Sequence, residues 1–329
     1  MTLSAAPGSM LARRGGVRER GRWVVAAVAA FCVAAAAGTV LGAVSLPPGR
    51  VVLEILDHVP GLHVRSGLSR TDATIVWQLR LPRVVLGLLV GSMLASAGTA
   101  YQGVFRNPLA DPYLLGVSAG AGAAVTVARV THATWHLGPL DTLPLSAFVG
   151  ALAAVGLTYV LASVGGPLRS TAVLLLAGVA VSSFLLAIQT FLLQQNADSI
   201  RDVYNWITGS LSTAGWAEVR LLLPYTVLTT TVLLLCRRSL DVLTVGDDDA
   251  AALGLNVGRT RLIVVVTASL ATAAAVSVSG LIGFVGIIVP HIVRMLVGTS
   301  YRVILPLSLL LGGAPFFAVI LRTRKVPTL

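Results

Sequence analysis

Long apolar runs, separated by short turns that contain glycine, proline or a few charges, occupy most of the 329-residue chain. Nine runs can be read directly: 24–46, 84–104, 113–130, 143–164, 171–194, 219–236, 262–279, 281–297 and 303–321. About 20 apolar residues are needed for a helix to cross the ~30 Å hydrocarbon core, and nearly every run meets or approaches that length. Continuous runs of this kind are typical of helices, because helices satisfy all their backbone polar groups internally. The pattern therefore predicts an all-α polytopic membrane protein.

Composition supports this prediction. The chain is 56% hydrophobic and 11% charged, whereas soluble domains carry roughly 25% charged residues. The net charge of +11 comes from basic residues scattered among the short loops without interleaved aromatics, so nucleic-acid binding is not indicated. The two cysteines, Cys32 and Cys236, lie in separate apolar runs, which excludes a disulfide framework or a thiolate metal site.

The arginines predict an orientation. With the basic N-terminus in the cytoplasm and one crossing per run, thirteen arginines fall inside and eight outside, as the positive-inside rule requires. Nine crossings would place the basic C-terminus outside, against this rule, so one span is missing or abnormal. We divide the chain into a cytoplasmic tail (1–22), a transmembrane domain (23–321) with an external loop (47–83) and a cytoplasmic loop (237–261), and a basic tail (322–329).

Several function classes are disfavoured by what the chain lacks. It contains no GxxxxGK[ST] phosphate-binding loop, so it cannot hydrolyse ATP by itself. The predicted spans hold almost none of the ionisable residues that a proton- or sodium-driven carrier places near the bilayer centre. The sequence shows neither a paired acid and base nor a set of metal ligands, so nothing in it indicates an enzyme. We expect a transport protein without a catalytic site, a cofactor or a bound metal of its own.

The segment RNPLADPYLLGVSAGAG, residues 106–122, links two predicted spans. Asp111 can cap a helix that has Pro112 in its first turn, where a missing N–H costs nothing. The glycines that follow, Gly116, Gly120 and Gly122, offer a small-residue face for close helix contact. A tight turn followed by packing is the alternative interpretation of the same residues.

The segment VGDDDAAALGL, residues 245–255, predicts a short helix between glycines. Three aspartates, Asp247 to Asp249, suit the positive end of a helix, and the three alanines that follow are strong helix formers. Gly254 can end the helix. It is too short and too polar to span a membrane, so it is either a docking element for a soluble partner or a solvated loop.

The segment SGLIGFVGIIVPHIVRMLVG, residues 279–298, contains Gly280, Gly283 and Gly286 at three-residue spacing, followed by Pro290 and His291. Glycine and proline can interrupt a membrane helix where neighbouring helices satisfy the freed backbone. His291 has no second ligand at metal-binding spacing, so a structural hydrogen bond is favoured over metal or proton binding.

These strings, in this order, resemble the FecCD family of ABC importer permeases for iron-siderophores, haem and vitamin B12. The resemblance covers about residues 22–317 and is carried by LRLPR (79–83), QGVFRNPLADPYLLGVSAGAG (102–122), LLLAGVAVSS (174–183), WITGSL (206–211), VGDDDAAALG (245–254) and GLIGFVGIIVPHIVRMLVG (280–298). It implies a ten-span type II importer fold in the cytoplasmic (inner) membrane. It also implies a second permease subunit, identical or paralogous, an ATP-binding subunit and an extracytoplasmic substrate-binding protein.

The resemblance also implies roles for particular residues. The ATPase-coupling helix would comprise Gly246, Asp247, Asp248, Ala250, Leu253 and Gly254. Arg80 and Arg83 would dock the binding protein, since exposed ion pairs of ~0–1 kcal/mol can steer a contact that must reverse. Helix turns and packing would use Asn107, Pro108, Asp111, Pro112, Gly116, Gly120, Gly283, Gly286, Pro290 and His291. The fifth span, about 174–193, would line the pathway.

One departure from the family pattern lies near the C-terminus. After LLGG, residues 310–313, the chain runs directly into APFFAVILRTRK, so that about thirty residues, roughly a span and its turn, are absent relative to the family. We expect an importer subunit that moves a ferric siderophore or related metal chelate by alternating access. A transport-inactive scaffold or remnant is the alternative, and an ATP-independent carrier is a third hypothesis.

Overall fold

The computed structural model describes residues 9–41, 44–58, 64–134, 141–164, 171–209, 211 and 214–314, and all regular structure in these ranges is helical. The helices are α1 (Ser9–Val40), α2 (Pro48–Asp57), α3 (Arg70–Thr74), α4 (Leu81–Phe105), α5 (Val117–Val130), α6 (Thr142–Ser163), α7 (Thr171–Gln195), α8 (Ile200–Ile207), α9 (Trp216–Leu243), α10 (Asp247–Ala252), α11 (Val257–Ser279), α12 (Val285–Val297) and α13 (Tyr301–Gly312). A π-helical turn, Ile75–Arg80, joins α3 to α4.

Each of the nine apolar runs contains a helix, which confirms the all-α membrane architecture. Six helical stretches are long and apolar enough to cross a bilayer: 21–40, 70–105, 142–163, 172–195, 216–243 and 257–279. Three others, α5, α12 and α13, have only 14, 13 and 12 residues. At 1.5 Å per residue they extend about 20 Å, less than the hydrocarbon core.

Helices α4 and α11 form the centre of the bundle. In their most apolar stretches 83% and 78% of residues are buried, against 17–33% in α1, α6, α7 and α9. Hydroxyl groups on the central pair bond within the structure, as in the contact between the Tyr101 hydroxyl and Ser269 Oγ at 2.6 Å. The apolar faces of the four outer helices are therefore available to lipid or to other subunits.

Several helix crossings require glycine, and two of them involve predicted packing residues. A Cβ atom on Gly98 of α4 would overlap the backbone carbonyl of Gly286 in α12, and one on Gly120 of α5 would overlap that of Gly150 in α6. The predicted packing roles of Gly120 and Gly286 fit these contacts. Gly122 faces Gln189 of α7 instead, so the glycines after the 106–116 segment serve two neighbouring helices.

The predicted external loop, residues 47–83, is largely helical, and its last part leads without interruption into α4. Helix α3, the π-helical turn and α4 form one continuous helical stretch, Arg70–Phe105. Arg80 lies within it, is 8% exposed, and donates to the carbonyl oxygens of Thr39, Val40 and Val44. Thr39 and Val40 are the last two residues of α1 and Val44 follows it, so the guanidinium lies at the end of the helix, where a cation is favoured by the helix dipole. The charge of Arg80 therefore suggested a loop, although the residue lies within a helical stretch.

The cytoplasmic connection is also shorter than predicted. Helix α9 continues to Leu243 and α11 begins at Val257, so most of residues 237–261 is helical and only α10 with its flanking turns lies between the two spans. At the other end of the chain the described residues end at Ala314. The remainder of the 303–321 run and the tail 322–329 lie outside the described residues, and the proposed loss of about thirty residues stays a prediction.

Ion pairs assign the connecting segments to two opposite faces. On one face Arg106 at the end of α4 lies 3.3 Å from Asp247 of α10, and the start of α13 is held at Asp241 of α9. On the other face Arg129 at the end of α5 lies 3.6 Å from Asp202 of α8. This division agrees with the orientation predicted from the arginines.

Candidate functional site

The predicted short helix is present as α10, between two glycines in left-handed backbone conformations. Gly246 precedes it with φ +122° and Gly254 follows it with φ +85°. Asp247, Asp248 and Asp249 occupy its first turn, where negative charge is favoured. The glycine requirement at both ends and the acidic first turn explain why so short a segment folds as a defined helix.

Asp247 anchors α10 to the bundle. Its two carboxylate oxygens accept hydrogen bonds from Arg261 Nη2 of α11 at 3.1 and 2.9 Å, and one oxygen lies 3.3 Å from Arg106 Nη2. The Arg261 side chain is only 7% exposed. A buried guanidinium needs a charge partner, so Asp247 stabilises Arg261 as much as Arg261 holds Asp247. Ala250 is fully buried and adds an apolar contact on the same side.

The opposite side of α10 is open. Asp248 and Asp249 are exposed, and Leu253 is 70% exposed. Leu109, in the segment that begins at Arg106, is also 70% exposed. An anchored helix that presents carboxylates and a leucine to solvent has the properties of a docking element.

Residues 106–116, which we call the link, join α4 to α5 through a series of turns. Asp111 accepts the Tyr113 N–H at 2.8 Å, and α5 begins only at Val117, after Gly116 with φ +87°. The prediction that Asp111 caps a helix starting at Pro112 was therefore wrong, because the left-handed Gly116 separates this turn from α5. The alternative, a tight turn followed by packing, fits the turns observed here. Partial burial raises the pKa of the Asp111 carboxyl above its ordinary value.

The link contacts three further helices. The Thr158 hydroxyl of α6 donates to the Leu115 carbonyl at 3.0 Å. A Cβ atom on Gly178 of α7 would overlap the Leu114 carbonyl, and one on Gly286 of α12 would overlap the Pro112 ring. The predicted packing role of Pro112 fits this contact. The link is thus the point at which α6, α7 and α12 meet the segment that carries Arg106.

Asn107 and Pro108 lie at the exposed start of the link. The Asn107 side chain accepts the Leu109 N–H at 2.9 Å, which closes a turn of the kind that Asn and Pro favour. The predicted turn role of this pair fits the geometry.

Residues 280–284, which we call the break, separate α11 from α12 as the glycine spacing predicted. Gly280 has φ +74° and approaches the Trp206 carbonyl of α8. The Tyr113 hydroxyl donates to the Ile282 carbonyl at 2.9 Å and accepts the Ile282 N–H at 3.1 Å. Phe284 is 70% exposed and has φ +68°, a conformation that disfavours a bulky residue. Gly283 has open space around its Cα.

Helix α12 continues through Pro290, because another donor occupies the carbonyl that proline leaves unpaired. A proline removes the bond to the residue four positions earlier, here Gly286, whose oxygen accepts Gln102 Nε2 of α4 at 3.3 Å. Gln102 in turn accepts from Arg294 Nη2 at 2.7 Å. His291 is exposed, and among the described residues it has no hydrogen-bond partner. The hydrogen bond predicted for it is absent from this part of the chain.

The two residues predicted to dock the binding protein, Arg80 and Arg83, differ in their burial. Arg80 is buried against the end of α1, which does not fit an exposed contact for a binding protein. Arg83 is half-buried, and its docking role stays a prediction. The basic side chains that are exposed around α2 and α3 are those of Arg50, Arg65 and Arg70.

Sequence reasoning missed the side chains that connect these elements. Arg106, Arg261 and Gln102 were not singled out, and Tyr113 was noted only as part of a string. Their importance depends on contacts between residues far apart in the chain, which a local pattern does not show. The signal available in the sequence was that Asp247 and Arg261 lie in the same predicted cytoplasmic segment, residues 237–261, where an ion pair between them is possible.

Helix α7 presents a long apolar surface away from the bundle. Leu176, Val179, Phe184, Leu186 and Phe191 are 51–71% exposed. Among the described residues no group of three or more His, Cys, Asp or Glu side chains could hold a metal ion. A multi-pass helical bundle with an open apolar face and a short helix anchored at one end has the architecture of a membrane permease.

Comparison with known proteins gives the family. Residues 8–326 match the model of the FecCD transport family. The chain is 43% identical to the cobalamin import system permease protein of Halobacterium salinarum over 76% of its length and 67% of the relative's. It is 40% identical to the hemin transport system permease protein of Yersinia pestis, over 73% and 72%. The chain belongs to the FecCD transport family.

A solved structure shares the fold. An inward-facing metal-chelate type ABC transporter superposes with a TM-score of 0.72 at 26% identity, covering 85% of this chain and 89% of that one. A third relative, a Fe(3+)-citrate import system permease protein of Bacillus subtilis, is 36% identical over 82% of this chain and 78% of its own. The predicted fold class and family are confirmed.

Proposed function

We propose that this chain is the membrane-spanning subunit of an ATP-binding-cassette importer that moves a metal chelate across the cytoplasmic membrane. Named relatives import cobalamin, hemin and ferric citrate, so the cargo class is a chelated metal, with a ferric siderophore as the first candidate. Two permease subunits form the pathway, with the apolar surface of α7 beside it. Separate ATP-binding subunits supply the energy, and an extracytoplasmic protein delivers the cargo.

The observation that carries this proposal is the way in which α10 is attached to the bundle. It is held by Asp247 to α4 and α11, the two central helices, while Leu253 and two aspartates face solvent. A soluble ATPase that pushes on this surface acts directly on the centre of the bundle. Alternating access then follows from movement of α10 relative to the opposite face.

The test is reconstitution with the ATP-binding subunit and the binding protein in proteoliposomes, followed by ATP-dependent uptake of labelled ferric siderophore, haem or cobalamin. We expect uptake of one class. A chain that assembles and supports ATP hydrolysis but takes up none of the three would be the transport-inactive scaffold instead.

The docking role of α10 is tested separately with Leu253→Asp. An added charge at this exposed apolar position would have to lose its water in an interface, which is costly. The affinity for the ATP-binding subunit should therefore fall about tenfold or more. Ser45→Asp, at an exposed position on the opposite face, is the matched control and should leave that affinity unchanged. Equal affinities for the two variants would contradict a docking surface on α10.

A further inference from the structure

The break is held from both sides of the molecule by consecutive residues. The Leu281 N–H donates to the Ile207 carbonyl at the end of α8, at 3.3 Å, on the face that carries Asp202. The next residue, Ile282, bonds through both backbone groups to the Tyr113 hydroxyl of the link. In the described part of the chain neither backbone group of Ile282 has another partner. Among the described residues, the Tyr113 hydroxyl makes the only hydrogen bonds between the break and the link, while Pro112 of the link packs separately against Gly286 in α12.

The link is stiff between its two attachments. Three backbone hydrogen bonds close successive turns within it, from Ala110 to Asn107 at 3.1 Å, from Leu114 to Asp111 at 3.1 Å, and from Gly116 to Tyr113 at 2.9 Å. Its first residue, Arg106, is paired with Asp247 of α10. Hydrogen-bonded turns limit local opening of the backbone, so the link is suited to pass a displacement from Arg106 to Tyr113.

The break itself can respond to such a displacement. It has no helical hydrogen bonds across residues 281–283, and Phe284 has a left-handed backbone conformation that costs roughly what one favourable hydrogen bond contributes. Loss of the Tyr113 hydroxyl would leave the Ile282 N–H and carbonyl unpaired within a membrane protein, where unpaired backbone groups are costly. The hydroxyl therefore determines whether the break follows the link.

We propose, on the basis of the function proposed above, that Tyr113 is a positioning residue for transport: its hydroxyl makes the break move with α10. In this arrangement Asp247 passes the displacement of α10 to Arg106, the link carries it, and Tyr113 applies it to Ile282. The start of α12 and, through Leu281, the end of α8 then change position together. Tyr113 does not contact cargo and acts only through Ile282.

The test compares Tyr113→Phe with the wild-type chain in the reconstituted complex. The variant keeps the ring and removes the hydroxyl, so assembly should be preserved. We expect cargo moved per ATP hydrolysed to fall about fivefold or more, as loss of a bond to buried groups predicts, while ATP hydrolysis continues. Tyr225→Phe of α9, whose ring packs on Phe148 at 5.5 Å, is the matched control and should keep the wild-type ratio.

A purely structural role for Tyr113 would lower uptake and ATP hydrolysis in proportion and leave their ratio unchanged, which would overturn the proposal. A double variant with Asp247→Asn provides a second check. If both residues act along the same route, the double variant should move no less cargo per ATP hydrolysed than the poorer single variant. A double variant whose loss equals the product of the two single losses would contradict a shared route.

A distance measurement separates this inference from the proposed function, because it needs no uptake. Spin labels at Val245→Cys, beside α10, and Ile288→Cys, on the exposed side of α12, are introduced with Cys32 and Cys236 replaced by serine. With the ATP-binding subunit bound, nucleotide should leave the distance distribution narrow in the wild-type background and broaden it in Tyr113→Phe. Identical distributions would overturn the role of Tyr113 even if transport is observed. Absent uptake with the expected broadening would instead count against the importer function alone.

Discussion

At Gly98 the chain requires a hydrogen atom where any other residue would place a Cβ carbon. The backbone carbonyl of Gly286 occupies that position, and a carbonyl in a helix cannot rotate away as a side chain could. Close backbone approach through small residues is a common means of joining membrane helices, where no hydrophobic driving force acts between them. This contact fixes the distance between α4, at the centre of the bundle, and the start of α12.

Gly98→Ala should therefore destabilise the protein by roughly 1–3 kcal/mol, the usual range for overpacking a close contact, measured as a lower unfolding midpoint in detergent. Gly156→Ala is the matched control, since a Cβ atom at Gly156 in α6 meets nothing within 4 Å. Alanine is the better helix former by about 1 kcal/mol, so the control should unfold at the wild-type midpoint or slightly above it. Equal midpoints for the two variants would rule out a close crossing at Gly98.

At the scale of elements, the end of α1 is stabilised by a side chain from another helix. Arg80 donates to carbonyls at Thr39, Val40 and Val44, where α1 ends. Hydrogen bonds from a charged donor contribute roughly 1.5–3 kcal/mol. Arg80 is thus part of the packing between α1 and α4, and the exposed Arg65 is a better representative of the external surface.

Arg80→Gln should accordingly accelerate amide hydrogen exchange at the end of α1 by about tenfold or more, because each 1.4 kcal/mol changes an opening equilibrium tenfold. Mass spectrometry of peptides covering residues 36–46 measures this. Arg65→Gln, on the same face but exposed, should leave exchange in those peptides unchanged. Slower or unchanged exchange in Arg80→Gln would contradict the capping role.

The elements differ in how much of them could be predicted from sequence. Each of the nine apolar runs contains a helix among its described residues. Helix α10 and the break were located to within a few residues, because glycine spacing and charge placement determine them locally. The helical stretch that precedes α4, from Arg70 to Arg80, was missed, since Arg80 suggests a loop until its partners at the end of α1 are known. Tyr113 was missed as a functional residue for the same reason: its partner, Ile282, lies 169 positions away.

For the molecule as a whole, the two groups of ion pairs define opposite membrane faces. Asp248 of α10 and Arg201 of α8 are both exposed, on the faces that carry Asp247 and Asp202 respectively. From the basic N-terminal segment and the positive-inside rule, we expect the α10 face to lie in the cytoplasm.

In a chain with Cys32 and Cys236 replaced by serine, Asp248→Cys should react with a membrane-impermeant maleimide only after the membrane is opened. Arg201→Cys should react in intact cells. Labelling of both positions from the same side would contradict the division into two faces and the orientation predicted from arginine placement.

The length of α9 has a consequence for the height of α10 above the membrane. With 28 residues at 1.5 Å each, α9 is about 42 Å long, while the hydrocarbon core is ~30 Å thick. The difference of about 12 Å extends α9 beyond the hydrocarbon core by about two turns, which lie in the headgroup layer. Helix α10 therefore lies at the level of the headgroups and clear of the acyl chains, so a soluble protein that docks on it would contact lipid headgroups at the same time.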